Sequence, residues 1–364
     1  MRIFSLHHGL RHTESRSPEV PKSKTISLIG YLTSILALCC LFLALASCQE
    51  QRPAYKAKLD IDTEPYNLDF ERYEDVLFRL DTAHFQQELK DIQAHYPVFL
   101  SGDLDNPDAV KYLKDFATDP FSIKLYEKVR TAFPDLKEVE PMVEDVLAHF
   151  HYYYPGIALP EKAFTCVSGI SFDAPAVQII DNQLVISLDW YLHDEAVYDA
   201  VGMPRYMSLR RHQATLAKDV AEQLYMNYLY EWRKQGQIVE EMVFYGRRDF
   251  FVEAMCPELP DSILLGYADP QWRWAVENEG QLWADIVGNR RLYDSGLETY
   301  MMFFGDGPYT QVYGADSPSR LGEFFGLNII RSHAASQENF NLAELMGMQD
   351  LQGIFQQSNY KPRK

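Results

Sequence analysis

The chain has 364 residues, with 52 acidic against 34 basic side chains and a formal net charge of −18 at neutral pH. So acidic a body is repelled by nucleic acid and by anionic lipid, which argues against both as binding surfaces. Five cysteines do not make a disulfide scaffold, and a chain of this length has core enough to fold without staples.

Residues 1–26 are polar and net basic, through Arg2, Arg11, Arg16, Lys22 and Lys24. An almost wholly apolar run from Ile26 to Ala46 follows, and it ends in Leu45-Ala46-Ser47-Cys48. A basic region, an apolar region and small residues before a cysteine form the order of a lipoprotein signal peptide: Ala46 and Ser47 fit a narrow peptidase site and the Cys48 thiol takes the lipid. The run is long enough to span a bilayer, so a retained anchor is the competing reading. The small-small-Cys ending at its outer edge and the polar exit Gln49-Glu50-Gln51-Arg52 favour cleavage. The expected organisation is a signal peptide over 1–47, a polar tether over 48–60 and one globular domain over 61–364. Contact with the membrane then comes from several acyl chains on Cys48, since a single chain binds only marginally. Cys39 and Cys40 leave with the leader. Cys166 and Cys256 remain, either bridged or as two separate buried thiols, and their spacing suggests no metal site.

From about Tyr66 the pattern is largely helical. Tyr73, Val76, Leu77 and Leu80 recur at three- and four-residue steps, as do Phe85, Leu89, Ile92 and Tyr96. Asn106-Pro107 and Asp119-Pro120 read as helix starts, a capping side chain followed by proline in the first turn. Val139, Met142, Val143, Val146, Leu147 and Phe150 form an amphipathic stripe that Tyr154-Pro155-Gly156 ends. Phe164 to Ile170 reads as a strand. Val177–Ile180 and Gln183–Leu188 read as a hairpin around Asp181-Asn182, the most convincing sheet signal in the chain. Helices resume near Leu209. Asp269-Pro270 and Ser317-Pro318 each open one, and Asn341 with Glu344 resembles a capping box for the last. No internal repeat, low-complexity tract or Pro/Gly-rich linker divides this region. The expectation is a mostly helical α+β fold, one small antiparallel hairpin packed on a helical body.

Chemical motifs are sparse. There is no Gly-x-Ser-x-Gly elbow, phosphate-binding loop, Cys-x-x-Cys or His-Glu-x-x-His, and Gly305-Asp306-Gly307 lacks the third glycine of a dinucleotide site. His149 and His151 lie about 200° apart on a helix and cannot chelate one ion. His193 sits in a solvated-looking stretch beside Asp194 and Glu195, and His84, His95, His212 and His333 lack partners one helical turn away. Asp189, at the end of the hairpin, reads as an organiser of loops, with a role as base the alternative. Arg210-Arg211, Arg247-Arg248 and Arg290-Arg291 read as cations balancing neighbouring acids. Tyr152-Tyr153-Tyr154 and Phe303-Phe304 are consecutive, so they either expose aromatic surface suited to protein partners or fold into pockets of their own.

Taken in order, the segments Phe150–Pro155, Thr165–Ser171, Ile186–Leu192, Val243–Val287, 317–333 and 342–362, behind the Leu-Ala-Ser-Cys motif, resemble the gliding-motility lipoprotein GldB family of the Bacteroidota. The resemblance is closest over 140–362 and looser over 57–139. It implies an outer-membrane lipoprotein whose body faces the periplasm, working with envelope proteins of the gliding and type IX secretion machinery. The family is also distantly similar to predicted zinc peptidases with His-Glu-x-x-His on one helix and a glutamate ligand on the next. That likeness sets Ala221-Glu222-Gln223-Leu224-Tyr225 against the first helix and Tyr245 against the ligating acid. Both imidazoles and the acid are then missing, which implies a scaffold without metal, cofactor or catalysis. Two alternatives stand beside it: a periplasmic module that binds peptide or glycan on Tyr and Trp platforms, and a hydrolase built around Asp189 and the Arg320 segment.

Overall fold

A computed structural model describes residues 53–363. The signal-peptide motif Leu45, Ala46, Ser47 and Cys48 lies outside the described residues. Among those described, no helix is long and apolar enough to cross a membrane.

The hairpin forms as its sequence predicts. Strands β3 (Val177–Ile180) and β4 (Gln183–Ser187) pair antiparallel, with Ile180 opposite Gln183. Between them Asp181 and Asn182 take φ of 49° and 56°. That two-residue turn has the hand that suits strand twist, and Asp and Asn tolerate its left-handed backbone better than most residues. The sheet extends beyond the hairpin. Strands β1 (Asp69–Arg72) and β2 (Lys162–Cys166) join it in the order β1-β2-β4-β3, and the β1–β2 and β2–β4 pairs are parallel. β1 reads Asp-Phe-Glu-Arg and lies at an edge, so it carries no apolar run that would mark it as a strand.

β2 stops at Cys166, short of the predicted Ile170. Beyond it Gly169 and Ile170 enter the left-handed region, at φ 77° and 57°. A β-branched residue rarely adopts that backbone. Here Asp189 holds it: the carboxylate accepts hydrogen bonds from the Ser168 N–H at 3.1 Å, the Ile170 N–H at 3.0 Å and the Ser168 hydroxyl at 3.2 Å. Asp189 is fully buried, and burial pushes its carboxyl up to about 6, against the lowering effect of those donors. A carboxyl raised above its unfolded value contributes stability that is complete at low pH and is lost as pH rises through the folded value. We expect the urea midpoint to fall between pH 4 and pH 7 by an amount that Asp189→Asn, a mimic of the protonated acid, removes. The difference should be on the order of 3 kcal/mol, and parallel pH curves for the two proteins would refute it.

Helices cover both faces of the sheet, and the described residues hold 15 α-helices around this single sheet. Between β1 and β2 run α1 (Tyr73–Leu77), α2 (Phe85–Ile92), α3 (Pro107–Thr118), α4 (Pro120–Ala132) and α5 (Val139–Tyr153). Asn106 caps α3 by accepting from the Asp108 N–H at 3.0 Å, and Asp119 caps α4 by accepting from Phe121 and Ser122 at 2.8 and 2.9 Å. After the hairpin come α6 (Glu195–Ala200), α7 (Arg205–Ser208), α8 (Leu216–Tyr228), α9 (Ile238–Met255), α10 (Asp261–Leu265), α11 (Asp269–Gly288), α12 (Leu297–Phe304), α13 (Leu321–Ser336), α14 (Leu342–Gly347) and α15 (Leu351–Ser358). The predicted start at Ser317-Pro318 is not a cap. Ser317 is buried and its hydroxyl closes a loop onto the carbonyls of Thr310 and Gly314, while α13 begins at Leu321 behind Arg320, itself at φ 56°. Asn341 does cap α14, accepting from the Glu344 N–H, but α14 is the penultimate helix and Asp350 caps the last, α15, by accepting from the Gly353 N–H.

Side-chain alternation along the strands divides the core. Phe164, Cys166 and Val185 pack with Tyr73, Phe85, Leu89 and Tyr96 on one face. Ala163, Leu184 and Ile186 face the larger cluster built by α5, α8, α9 and α13. α9 and α13 cross backbone to backbone, with Gly246 against Gly326. The body also begins earlier than the expected boundary at 61. Tyr55 and Leu59 are buried in the core, the Arg331 guanidinium lies 5.1 Å over the Tyr55 ring, and the Lys56 ammonium donates to the Pro257 carbonyl. Cys166 and Cys256 are both free and buried, which decides between the two readings of that pair.

Candidate functional site

Helices and loops that follow the last strand enclose a cavity of about 590 Å³ beside the N-terminal half of α8. One wall is the stretch from Arg205 to Thr215, another is Lys218, Asp219 and Glu222 of α8, and the far side is Arg248, Tyr267, Gln271 and Arg320. In a protein with 52 acids and 34 bases, this lining holds six Lys or Arg and two acids. Helical periodicity explains the α8 contribution. Residues 218, 219 and 222 share one face, while Val220, Ala221 and Leu224 turn into the core.

The ionic groups interlock. Lys218 Nζ lies 3.2 Å from Glu222, and Arg211 Nη1 lies 3.4 Å from Asp219, which also accepts the Tyr191 hydroxyl at 2.8 Å. Arg248 contacts Asp249 at 2.6 Å and Glu323 at 3.2 Å; Glu323 also takes Arg320 at 2.8 Å. Arg320 donates a second bond to the Leu265 carbonyl at 2.7 Å, which closes the turn at Gly266 (φ 65°). At the outer side, the Asp306 carboxylate accepts from Arg210 at 2.9 Å and lies 3.5 Å from Arg320 Nε.

Burial sets the electrostatics. It lifts the Asp249 carboxyl to about 7 against the pull of Arg248, with Glu323 and Glu222 adding to the rise. It lifts Asp219 as well, helped by the Glu222 charge. Glu222 resists its own burial because Lys218 and Arg248 hold its carboxyl low. Arg210 is lowered first by burial and then by the Arg320 charge, the result of two guanidinium groups converging.

The residues singled out by sequence fall differently. Of the stretch set against His-Glu-x-x-His, only Glu222 reaches the cavity. Ala221 is buried in the core, and Tyr225 packs its ring 5.6 Å from Phe251. Tyr245 hydrogen bonds the Tyr300 hydroxyl at 2.7 Å and stacks on Phe304, and it does not line the cavity. The face that does line it is Lys218-Asp219-x-x-Glu222, three residues earlier. This donor set does not suit zinc: an ammonium and a guanidinium are interleaved with the two carboxylates and already neutralise them. Among the described residues no group of three or more His, Cys, Asp and Glu could hold a metal ion.

Asp189 does not line the cavity either, so the pairing of Asp189 with the Arg320 segment does not form one site. The arginine doublets split. Arg210, Arg211 and Arg248 line the cavity, Arg247 instead donates to the Leu345, Met346 and Met348 carbonyls at the end of α14, and Arg291 pairs with Asp285. His193 and His212, 19 positions apart, meet edge to face at 5.8 Å, which no local spacing signals. Phe303 and Phe304 are buried, whereas Tyr152 is exposed. The largest exposed ring is Trp232, 79 % accessible, in the loop after α8 with half-exposed Met226 and Tyr230 nearby.

The fold and the cavity together define a helix-rich α+β body with an ion-paired pocket beside α8. The model of the family described as gliding motility protein GldB matches residues 55–362, and the chain belongs to that family. It is thus a gliding-motility protein, and a lipoprotein family of this kind points to the cell envelope. No curated protein and no solved structure matches the chain.

Proposed function

We propose that this protein is an outer-membrane lipoprotein, held by acyl chains on Cys48 with its body toward the periplasm, that assists gliding and the associated type IX secretion as a non-enzymatic accessory. It acts by touching other envelope proteins. The observation that carries this reading is the state of the cavity wall: its two carboxylates, Asp219 and Glu222, are each engaged by a cation, which leaves neither of them a free general base. The exposed Trp232 segment offers the kind of aromatic anchor that protein contacts use.

Pull-down of the full chain from detergent-solubilised envelope is the direct test. A defined partner should be recovered, and Trp232→Ser should lower its recovery about tenfold, a loss on the order of 1.4 kcal/mol, with the far-UV spectrum unchanged. A deletion strain should spread and secrete poorly. Indifference of that strain, or stoichiometric zinc with peptide cleavage by the purified protein, would overturn the role. Wild type but not Cys48→Ser should incorporate labelled fatty acid, and equal labelling would remove the anchor.

A further inference from the structure

We propose that the cavity beside α8 is a receptor for a small organic carboxylate, seated between Arg210 and Arg320 with its apolar part against Tyr206, Leu209 and Ile263. This goes beyond the accessory role and does not depend on it.

Three observations carry it. The first is the excess of basic side chains in the lining of an otherwise acidic protein. A pocket of about 590 Å³ is also in the range that holds amino-acid- to peptide-sized ligands, a few hundred to about 1,000 Å³.

The second is unmet hydrogen-bonding capacity. The Nε groups of Arg210, Arg211 and Arg320 are buried and make no hydrogen bond. A guanidinium presents its donors as a rigid fork that fits a carboxylate, and buried donors without acceptors are costly unless something fills them. The acids of the inner wall cannot supply the need, because Asp219 and Glu222 are taken by Arg211, Tyr191 and Lys218.

The third is that the protein already places a carboxylate there. Asp306, on the Gly305–Gly307 loop and 41 % exposed at its side chain, donates no bond and only receives: Arg210 reaches it at 2.9 Å and Arg320 Nε at 3.5 Å. The second contact is too long for a good hydrogen bond. Asp306 is therefore a loosely held, tethered occupant that a ligand carboxylate replaces. The rim beside it is apolar, through Leu209, 45 % exposed, and Ile263. The ligand's body rests there, which favours an organic acid over a bare inorganic anion.

The test titrates the full chain in detergent with N-acetylphenylalanine, its uncharged amide and inorganic phosphate, read by calorimetry. The acid should bind saturably and at least tenfold more tightly than the amide. Arg210→Gln should abolish that preference, and Asp306→Asn should tighten the acid several-fold by removing the competitor. Because Arg210→Gln alone could act by disturbing the loop, the opposite sign of Asp306→Asn keeps the two explanations apart. Equal behaviour of acid and amide overturns the site. Phosphate binding with the acid silent overturns the carboxylate assignment, and an Asp306→Asn protein that binds no better overturns the seat between the two arginines.

Discussion

Gly326→Ala is expected to destabilise the protein by about 3 kcal/mol or more, the upper range for overpacking a core. A Cβ at 326 would stand 2.0 Å from the Met242 carbonyl oxygen and 3.0 Å from the Gly246 nitrogen; one at 246 would stand 2.2 Å from the Gly326 carbonyl carbon. Every one of these obstacles is backbone. No rotamer change relieves them, so α9 and α13 must move apart, and with them Phe250, Phe251, Phe324 and Phe325, all within the core. The melting temperature should fall by roughly 4–5 °C for a domain of this size. Gly288→Ala is the control. Nothing lies within 4 Å of its Cβ position at the end of α11, and the effect there should stay within about 0.5 kcal/mol. Equal melting of the two variants would mean that the crossing is not close-packed.

Arg331→Met is expected to cost about 3–5 kcal/mol, the range for orphaning a buried charge. The Arg331 side chain is 8 % exposed. Its Nε donates to Glu253 at 2.8 Å, and its two terminal nitrogens grip Asp261 bidentately at 2.8 and 2.6 Å. Methionine fills much of the same volume but leaves Glu253, 2 % exposed, without its guanidinium, with Lys56 at 3.7 Å as the remaining cation and the Tyr55 hydroxyl beside it. Since most of the loss is that abandoned carboxylate rather than the pair itself, Arg331→Met combined with Glu253→Gln should recover a substantial part of it. Urea denaturation of the two single variants and the double one measures the coupling. Additive effects would show that the two side chains act independently. The same change should loosen the start of the body, because Arg331 also lies over Tyr55. Faster amide exchange over residues 55–59 would report it.

The cavity and the crossing are parts of one design. α9 carries Gly246 against Gly326 of α13, and two residues on Arg248 lines the cavity and joins Asp249 to Glu323 of α13, so the close helix contact positions that guanidinium. A family member that kept the helices and changed the polar residues of that face would keep the fold and alter the pocket's charge.

Local chemistry alone determined a good part of this protein. The Asp181-Asn182 hairpin, the Asn106 and Asp119 caps with their following prolines, and the α5 stripe are interactions between residues a few positions apart, and each is visible in the order of the amino acids. So was the family, because its segments are long and their order is specific. Tertiary structure decided the rest. β1 is an edge strand made by pairing with β2, and nothing in Asp-Phe-Glu-Arg signals a strand in isolation. Ser317-Pro318 looks like a cap yet closes a loop, since a buried hydroxyl finds carbonyls that sequence spacing does not reveal. The cavity face of α8 was hidden for a related reason: periodicity shows that a helix has a polar face, but only packing decides that Lys218, Asp219 and Glu222 line the cavity with Arg211, Arg248 and Arg320. Cavities and ion pairs join residues dozens of positions apart, and their energy depends on burial, which the finished fold alone sets.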